Sequence, residues 1–317
     1  MGLTELLAGD IEKWLKEFVR TELEANQPPH EPGSQRGFAN LDVNRMLETL
    51  HTPLQLREVD DKGTLAWDEL RGTEAIAEGQ LPIPPPELRM GYGRTDSQYL
   101  EMGRSTSGAI RKALSTYGIG LPPGDAILDW GCASGRVLRH FAPEAAQLEL
   151  WGCDQDAPHI TWARHNLSPP FHFVTSTAYP HLPFEDNKFR FVYGISVFTH
   201  LYQLVDAWLM EFRRILAPGG YALFTIHDEN TWKWLMDRAD NREALGPWND
   251  WPAVFNHGER MERDVYVFRQ GTEATGWSSV QTFFRSDWIA REWGRSLRVV
   301  AIEPLFEVYQ SMVLLQK

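Results

Sequence analysis

The chain has 317 residues, 43% of them apolar, which is enough for one large or two small globular units and excludes a mini-protein or a disordered tail. Its 31 Lys and Arg against 43 Asp and Glu leave a net charge of −12, so nucleic acid, whose phosphates need clustered cations, is not the expected partner. Two cysteines, Cys132 and Cys153, exclude a disulfide framework and a four-cysteine zinc site and fit a reducing cytosol. No apolar run is long enough to span a bilayer, and acids stand where a signal peptide would be basic, so a cytoplasmic protein without membrane attachment is expected.

From Leu3 to Val19, apolar residues recur at three- and four-residue steps, the spacing of a helix with one greasy face. Its polar face balances Lys13, Lys16 and Arg20 with Glu5, Asp10, Glu12 and Glu17, which favours docking on protein, its own domain or a twin in a homodimer, over lipid. A connector at Asn26 to Asn40 precedes a short helix near Val43 to Leu50. Pro82, Pro84, Pro85 and Pro86 mark a second, extended connector. The first 95 residues therefore read as a mostly helical appendage, and with 17 acids and 10 bases they hold more than half of the net charge.

Residues 96–317 read as an α/β domain. A helix is expected from Ser97 to Tyr117 with Leu100, Ala109, Ile110 and Leu114 buried, then a strand at Ala126 to Asp129, a glycine loop, and a helix through Val137, Leu138 and Phe141. Strands follow at Leu148 to Cys153, Phe171 to Thr175, Phe189 to Val197 and Tyr221 to Ile226. Helices fall at Pro158 to Asn166 and Gln203 to Leu216, the latter stopped by Pro218-Gly219-Gly220. This alternation predicts a doubly wound, mostly parallel sheet.

The loop Gly131-Cys132-Ala133-Ser134-Gly135 lets a ligand approach the backbone. A dinucleotide fingerprint would need glycine at 133 and 136, where the chain has Ala133 and Arg136. Asp129 would repel a pyrophosphate but suits an ammonium, and Asp154, ending the next strand, can accept hydrogen bonds from ribose hydroxyls. Together they suggest a cationic, phosphate-free nucleoside.

The stretch from Ile127 to Arg136 resembles motif I of the class I S-adenosylmethionine-dependent methyltransferases, with alanine at the central glycine. Asp154, Leu182-Pro183-Phe184, Ile195 to Leu201 and Leu216 to Gly220 agree with that family in order, and Ser196 to Leu201 is reminiscent of bacterial members acting on sugars and other small molecules. The resemblance implies a Rossmann-like seven-stranded sheet with its last strand antiparallel and S-adenosyl-L-methionine as cofactor. It further implies that Asp129 acts through the loop on the methionine ammonium and that Gly131, Cys132, Ala133 and Gly135 supply close backbone contacts. By the same likeness Asp154 holds the ribose, Gln155, Thr177 and Ala178 meet the adenine, Ser196 lines the methionine side, and Arg104 reaches the carboxylate.

A methyl acceptor that is a hydroxyl must lose its proton during attack. His200 and His227 follow the fourth and fifth strands of the domain, at the ligand edge of the sheet, so either can be the base or a local loop anchor. His181, Asp228, Glu229 and His257 are weaker candidates, and no metal-ligand spacing occurs. The insertion from Asp228 to Trp293 holds seven of the 13 tryptophans, Trp232, Trp234, Trp248, Trp251, Trp277, Trp288 and Trp293, and is expected to cover the sheet edge with a helix from Thr231 to Arg238 and strands at Val265 to Phe268 and Val280 to Arg285. A helix from Ser286 to Trp293 and strands at Val299 to Glu303 and Tyr309 to Leu315 close the domain. The expected reaction is methyl transfer to a small-molecule or glycan hydroxyl; nitrogen methylation and a non-catalytic methyltransferase-like scaffold are the alternatives.

Overall fold

A computed structural model describes residues 54–58, 65–69, 81–237, 257–258, 260–269, 280–307 and 309–317, with backbone alone for 54–58, 65–69 and 269. The chain divides into the compact units Met1–Asp42 and Val43–Lys317, and every described residue belongs to the second. The expected helices at Leu3 to Val19 and Val43 to Leu50, and Trp248, Trp251 and Trp277, lie outside the described residues.

Strands β1 (Leu54–Glu58) and β2 (Leu65–Glu69) form an antiparallel pair that local patterning did not announce. The proline-rich stretch that follows is packed onto the domain. Leu81 is buried in the core, Arg139 donates to the carbonyls of Leu81 and Pro82, and Arg89 donates to that of Pro84.

Helix α1 (Asp96–Thr116) starts with a capping box in which Thr95 and Gln98 satisfy each other's backbone N–H groups. The main sheet then builds from β3 (Ala126–Trp130), β4 (Glu149–Asp154), β5 (Phe171–Thr175), β6 (Phe189–Gly194), β7 (Leu216–Ile226), β10 (Arg298–Glu307) and β11 (Gln310–Gln316). Its order is β10-β11-β7-β6-β3-β4-β5, with β3 to β7 parallel and β11 antiparallel to both β7 and β10. This is the Rossmann-like seven-stranded sheet expected from the motifs. Helices α2 (Ala157–Leu167) and α3 (Val205–Ile215) cross between strands. Helix α4 (Glu229–Asp237), the antiparallel pair β8 (Val265–Arg269) and β9 (Val280–Phe284), and helix α5 (Ser286–Glu292) lie between β7 and β10, as expected of the insertion. No described helix is long and apolar enough to cross a membrane.

All five residues of β3 are buried, as a central parallel strand covered on both faces must be. Ala126, Leu128 and Trp130 enter one core with Trp208, Phe212, Phe224 and Trp293; Ile127 enters the other with Ile110, Phe141, Phe191 and Tyr193. The Trp130 ring lies 4.7 to 5.8 Å from those of Phe198, Trp208, Phe212 and Phe224.

Three local expectations are corrected. The segment after the glycine loop is a 3-10 helix, Leu138–Ala146, with Pro143 inside it. Helix α3 ends at Ile215, and Leu216 to Gly220 already belong to β7, where Leu216 pairs with Phe189 before a register shift. On α1, Leu100 and Ala109 are only half-buried, and the packed face runs through Tyr99, Gly103, Thr106, Ser107, Ile110, Ala113 and Leu114. Gly103 explains the rotation: a Cβ there would stand 2.2 Å from the Arg136 carbonyl oxygen and 2.7 Å from His140 Nε2, so the helix seats its glycine against the segment after the loop. Gly103→Ala should therefore destabilise the domain by about 1–3 kcal/mol through overpacking. Urea unfolding should show a lower midpoint at unchanged slope.

Candidate functional site

The glycine loop joins β3 to the 3-10 helix at the carboxyl edge of the sheet. Gly131 (φ +77°), Ala133 (φ +46°) and Gly135 (φ +74°) all take the left-handed conformation, which for alanine costs roughly 1–2 kcal/mol. Gly131 and Cys132 donate their N–H groups to the Cys153 carbonyl at 2.8 and 3.1 Å. A side chain at Gly131 would collide with Val197, its Cβ 2.4 Å from Cγ2. Cys132 and Cys153 are buried, and burial pushes both thiols well above their usual range, so they pack as apolar residues.

Asp154 shapes this loop. Its Oδ2 accepts the Ala133 N–H at 2.8 Å and its Oδ1 the Asp156 N–H at 2.9 Å. Burial raises its pKa while these two donors pull it back. A carboxylate offers about four lone-pair sites, so capacity remains for two hydroxyls. Gln155 is half-buried beside it. After β5, Thr177 and Ala178 are half-buried, with the Thr177 hydroxyl accepting the Tyr179 N–H.

Asp129 differs from Asp154. It is 3% exposed, and its Oδ2 is buried without a hydrogen-bond partner. Burial pushes its carboxyl up to about 7, against Tyr193 and Arg136, which favour the charged form. Arg136 is itself buried, donates to the Thr106 hydroxyl at 3.2 Å, and lies 3.9 Å from the centre of the Tyr92 ring. Arg104 instead lies on the exposed face of α1, ion-paired with Glu101, and the structure does not assign it the carboxylate role. The buried arginine beside Asp129 is Arg136, which stands within the motif next to Gly135 and was readable there.

Across the loop, Ser196 (φ +58°) follows β6. The Thr225 hydroxyl accepts its N–H at 2.7 Å, and its own hydroxyl is bonded to Gln310 of β11. His200 Nδ1 lies 2.8 Å from the Val280 carbonyl oxygen of β9. A carbonyl only accepts, so Nδ1 carries the hydrogen and Nε2 of the neutral ring is an acceptor. Burial lowers the pKa of His200 and drives that of His227 down to about 3, with His200 adding to the second shift. His227 is 2% exposed and packs against Phe283 and Tyr309. It also forms an isolated parallel bridge with Phe283 of the cover.

The weaker candidates hold the scaffold. Asp228 accepts the Asn230 and Thr231 N–H groups at the start of α4, Glu229 accepts from Ser286 of α5, and His257 packs against Tyr266 and Phe268; His181 is exposed. Among the described tryptophans of the insertion, Trp232 and Trp293 are wholly buried, Trp288 stacks on Phe284, and Trp234 stacks on Tyr309 near the site. Among the described residues no three His, Cys, Asp or Glu are grouped to hold a metal ion.

Residues 127–220 match a family model described as a methyltransferase domain. Over 104 residues the chain is 34% identical to the fatty-acid O-methyltransferase of Mycolicibacterium smegmatis, covering 32% of this chain and 37% of that protein. Over 125 residues it is 33% identical to the sterol 24-C-methyltransferase of Schizosaccharomyces pombe, covering 38% and 30%. The chain thus spans about a third of the length of these curated relatives. A crystal structure of a protein from Pyrococcus horikoshii OT3 is 19% identical with a TM-score of 0.49, covering 70% of this chain and 96% of that one. Residues 127–220 are thus similar to a methyltransferase domain, and they lie within the Rossmann-like sheet and carry the glycine loop described above.

Proposed function

We propose that this chain moves a methyl group from S-adenosyl-L-methionine to a hydroxyl oxygen of a small molecule or glycan. The observation that carries the choice of oxygen is the His200 ring, held through Nδ1–H to Val280 so that Nε2 is left to accept a proton. The relatives are named for methyl transfer to fatty-acid oxygen and to sterol carbon, which supports an organic small-molecule acceptor.

The residues fit the cofactor. The orphaned buried oxygen of Asp129 suits an ammonium, the guanidinium of Arg136 beside it suits a carboxylate, and Asp154 retains acceptor capacity for ribose hydroxyls. When bound, the cofactor supplies a methyl already activated on a sulfonium. The protein's task is then alignment, exclusion of water and removal of one proton. His200 Nε2 takes the acceptor's hydroxyl proton as the oxygen attacks, and the Val280 carbonyl steadies the imidazolium that forms. His227, whose basicity is far lower, walls the site with Phe283 and Tyr309. The aromatic cluster of Trp232, Tyr266, Phe268 and Phe283 keeps water from the cover's interior.

Isothermal titration with S-adenosylmethionine and S-adenosylhomocysteine should give saturable heat; silence with both would sink the reading. His200→Ala should lower kcat about a hundredfold or more, the usual weight of a general base, and leave S-adenosylhomocysteine affinity near wild type. Asp129 supplies the pH test. Its folded pKa of about 7 exceeds the ordinary 3.8, so the ligand-free fold keeps a proton that the unfolded chain has released. The contribution of Asp129 to stability should therefore fall as pH rises from about 4 to about 7, read as wild type minus Asp129→Asn at each pH, a difference that removes the opposing contribution of the buried His200 and His227. Binding an ammonium needs the ionised form, so S-adenosylhomocysteine affinity should rise over the same window in the wild type and stay flat in Asp129→Asn.

A further inference from the structure

Of the three loop residues that turn left-handed, Ala133 is the one without glycine's freedom to do so, and two groups grip it. Ahead of it, Asp154 Oδ2 holds its N–H at 2.8 Å. Behind it, the Ser134 hydroxyl is hydrogen-bonded at 2.7 Å to Nδ1 of His159, with the serine 1% and the histidine 3% exposed. Both grips converge on the start of α2. His159 stands in its first turn, and the Asp156 N–H just ahead of the helix donates to the other oxygen of Asp154.

A buried hydroxyl–imidazole bond adds little net stability over an apolar pair of the same shape. What it does add is a fixed distance between loop and helix. We propose that His159 is a positioning residue of the cofactor loop: through Ser134 it holds Ala133 in the left-handed conformation and so offsets the strain of carrying alanine there. The loop's ligand rests on the methyltransferase reading above, whereas the clamp is internal to the chain and can be measured without ligand.

The experiment compares Ser134→Ala, which removes one oxygen, with the same change in an Ala133→Gly background, where the conformation that the clamp enforces is no longer costly. Amide hydrogen exchange of the peptide covering residues 131–136 is followed on the full chain without ligand, and S-adenosylhomocysteine affinity by titration. With alanine at 133, Ser134→Ala should speed exchange and weaken binding roughly tenfold, the scale of one lost buried hydrogen bond. With glycine at 133 the loss should shrink below about threefold and the exchange difference should fade, the non-additivity expected of coupled neighbours. His159→Ala should match Ser134→Ala, and the two together should cost no more than either. Equal losses in both backgrounds, or unchanged exchange in Ser134→Ala, would overturn the clamp. A wild-type chain that fails to bind S-adenosylhomocysteine would count against the proposed activity instead, and the exchange comparison would still decide the clamp.

Discussion

The carboxyl edge of the sheet depends on the register in which β3 lies between β4 and β6. Asp129 pairs with Gly152 on one side and with Tyr193 on the other, and Trp130 pairs with Cys153. Successive strand residues face opposite cores, so a slip of one position would send the carboxylate into the aromatic cluster and the indole toward the loop. Trp130 forbids the slip: it meets four aromatic rings, and emptying such a site costs about 3–5 kcal/mol. Gly152 completes the constraint, since a Cβ there would stand 2.8 Å from Cys132 Sγ. Hydrophobic packing beneath the sheet thus holds a buried acid at its rim.

Two acids end neighbouring strands, and their surroundings separate their roles. Asp154 is satisfied by two backbone N–H groups, so it braces the loop and faces a ligand only with what capacity is left. Asp129 has an oxygen with no partner, and the Asp154 charge adds to the burial that holds its proton. Environments that push paired carboxylates apart commonly divide the work between them. Here Asp154 builds the loop, and Asp129 keeps the free oxygen that the proposed function assigns to a cation.

The sequence revealed whatever is encoded by local period. β5 ran where its apolar residues predicted, and the two strands of the cover fell within a residue of expectation, because a strand's face is written in consecutive side chains. Misreadings arose where tertiary contact outvoted that pattern. Gly103 turned α1 toward Arg136, and β7 reached back through Pro218 because Leu216 finds a partner in Phe189. At the site, the loop glycines and both acids were legible from spacing. The bonds from His200 to Val280 and from Ser196 to Gln310 were not, since they join residues 80 and 114 positions apart and no local signal records them. Arg104 and Arg136 show the same limit: both are arginines near the loop, and only burial tells them apart.

The tryptophan-rich insertion was expected to cover the site, and its strand β9 contacts both histidines at the sheet edge. Among the described tryptophans of the insertion, Trp232 and Trp293 are committed to cores, one in the cover and one beneath the sheet. Strand β9 meets the sheet at two histidines. Its Phe283 bridges to His227, whose carbonyl accepts the Phe284 N–H at 2.9 Å, and its Val280 carbonyl takes the Nδ1–H of His200. The same strand that bridges to His227 therefore selects the His200 tautomer whose Nε2 is an acceptor. A cover lifted from the sheet would lose both contacts at once, so under the proposed mechanism proton removal and exclusion of water are linked through β9.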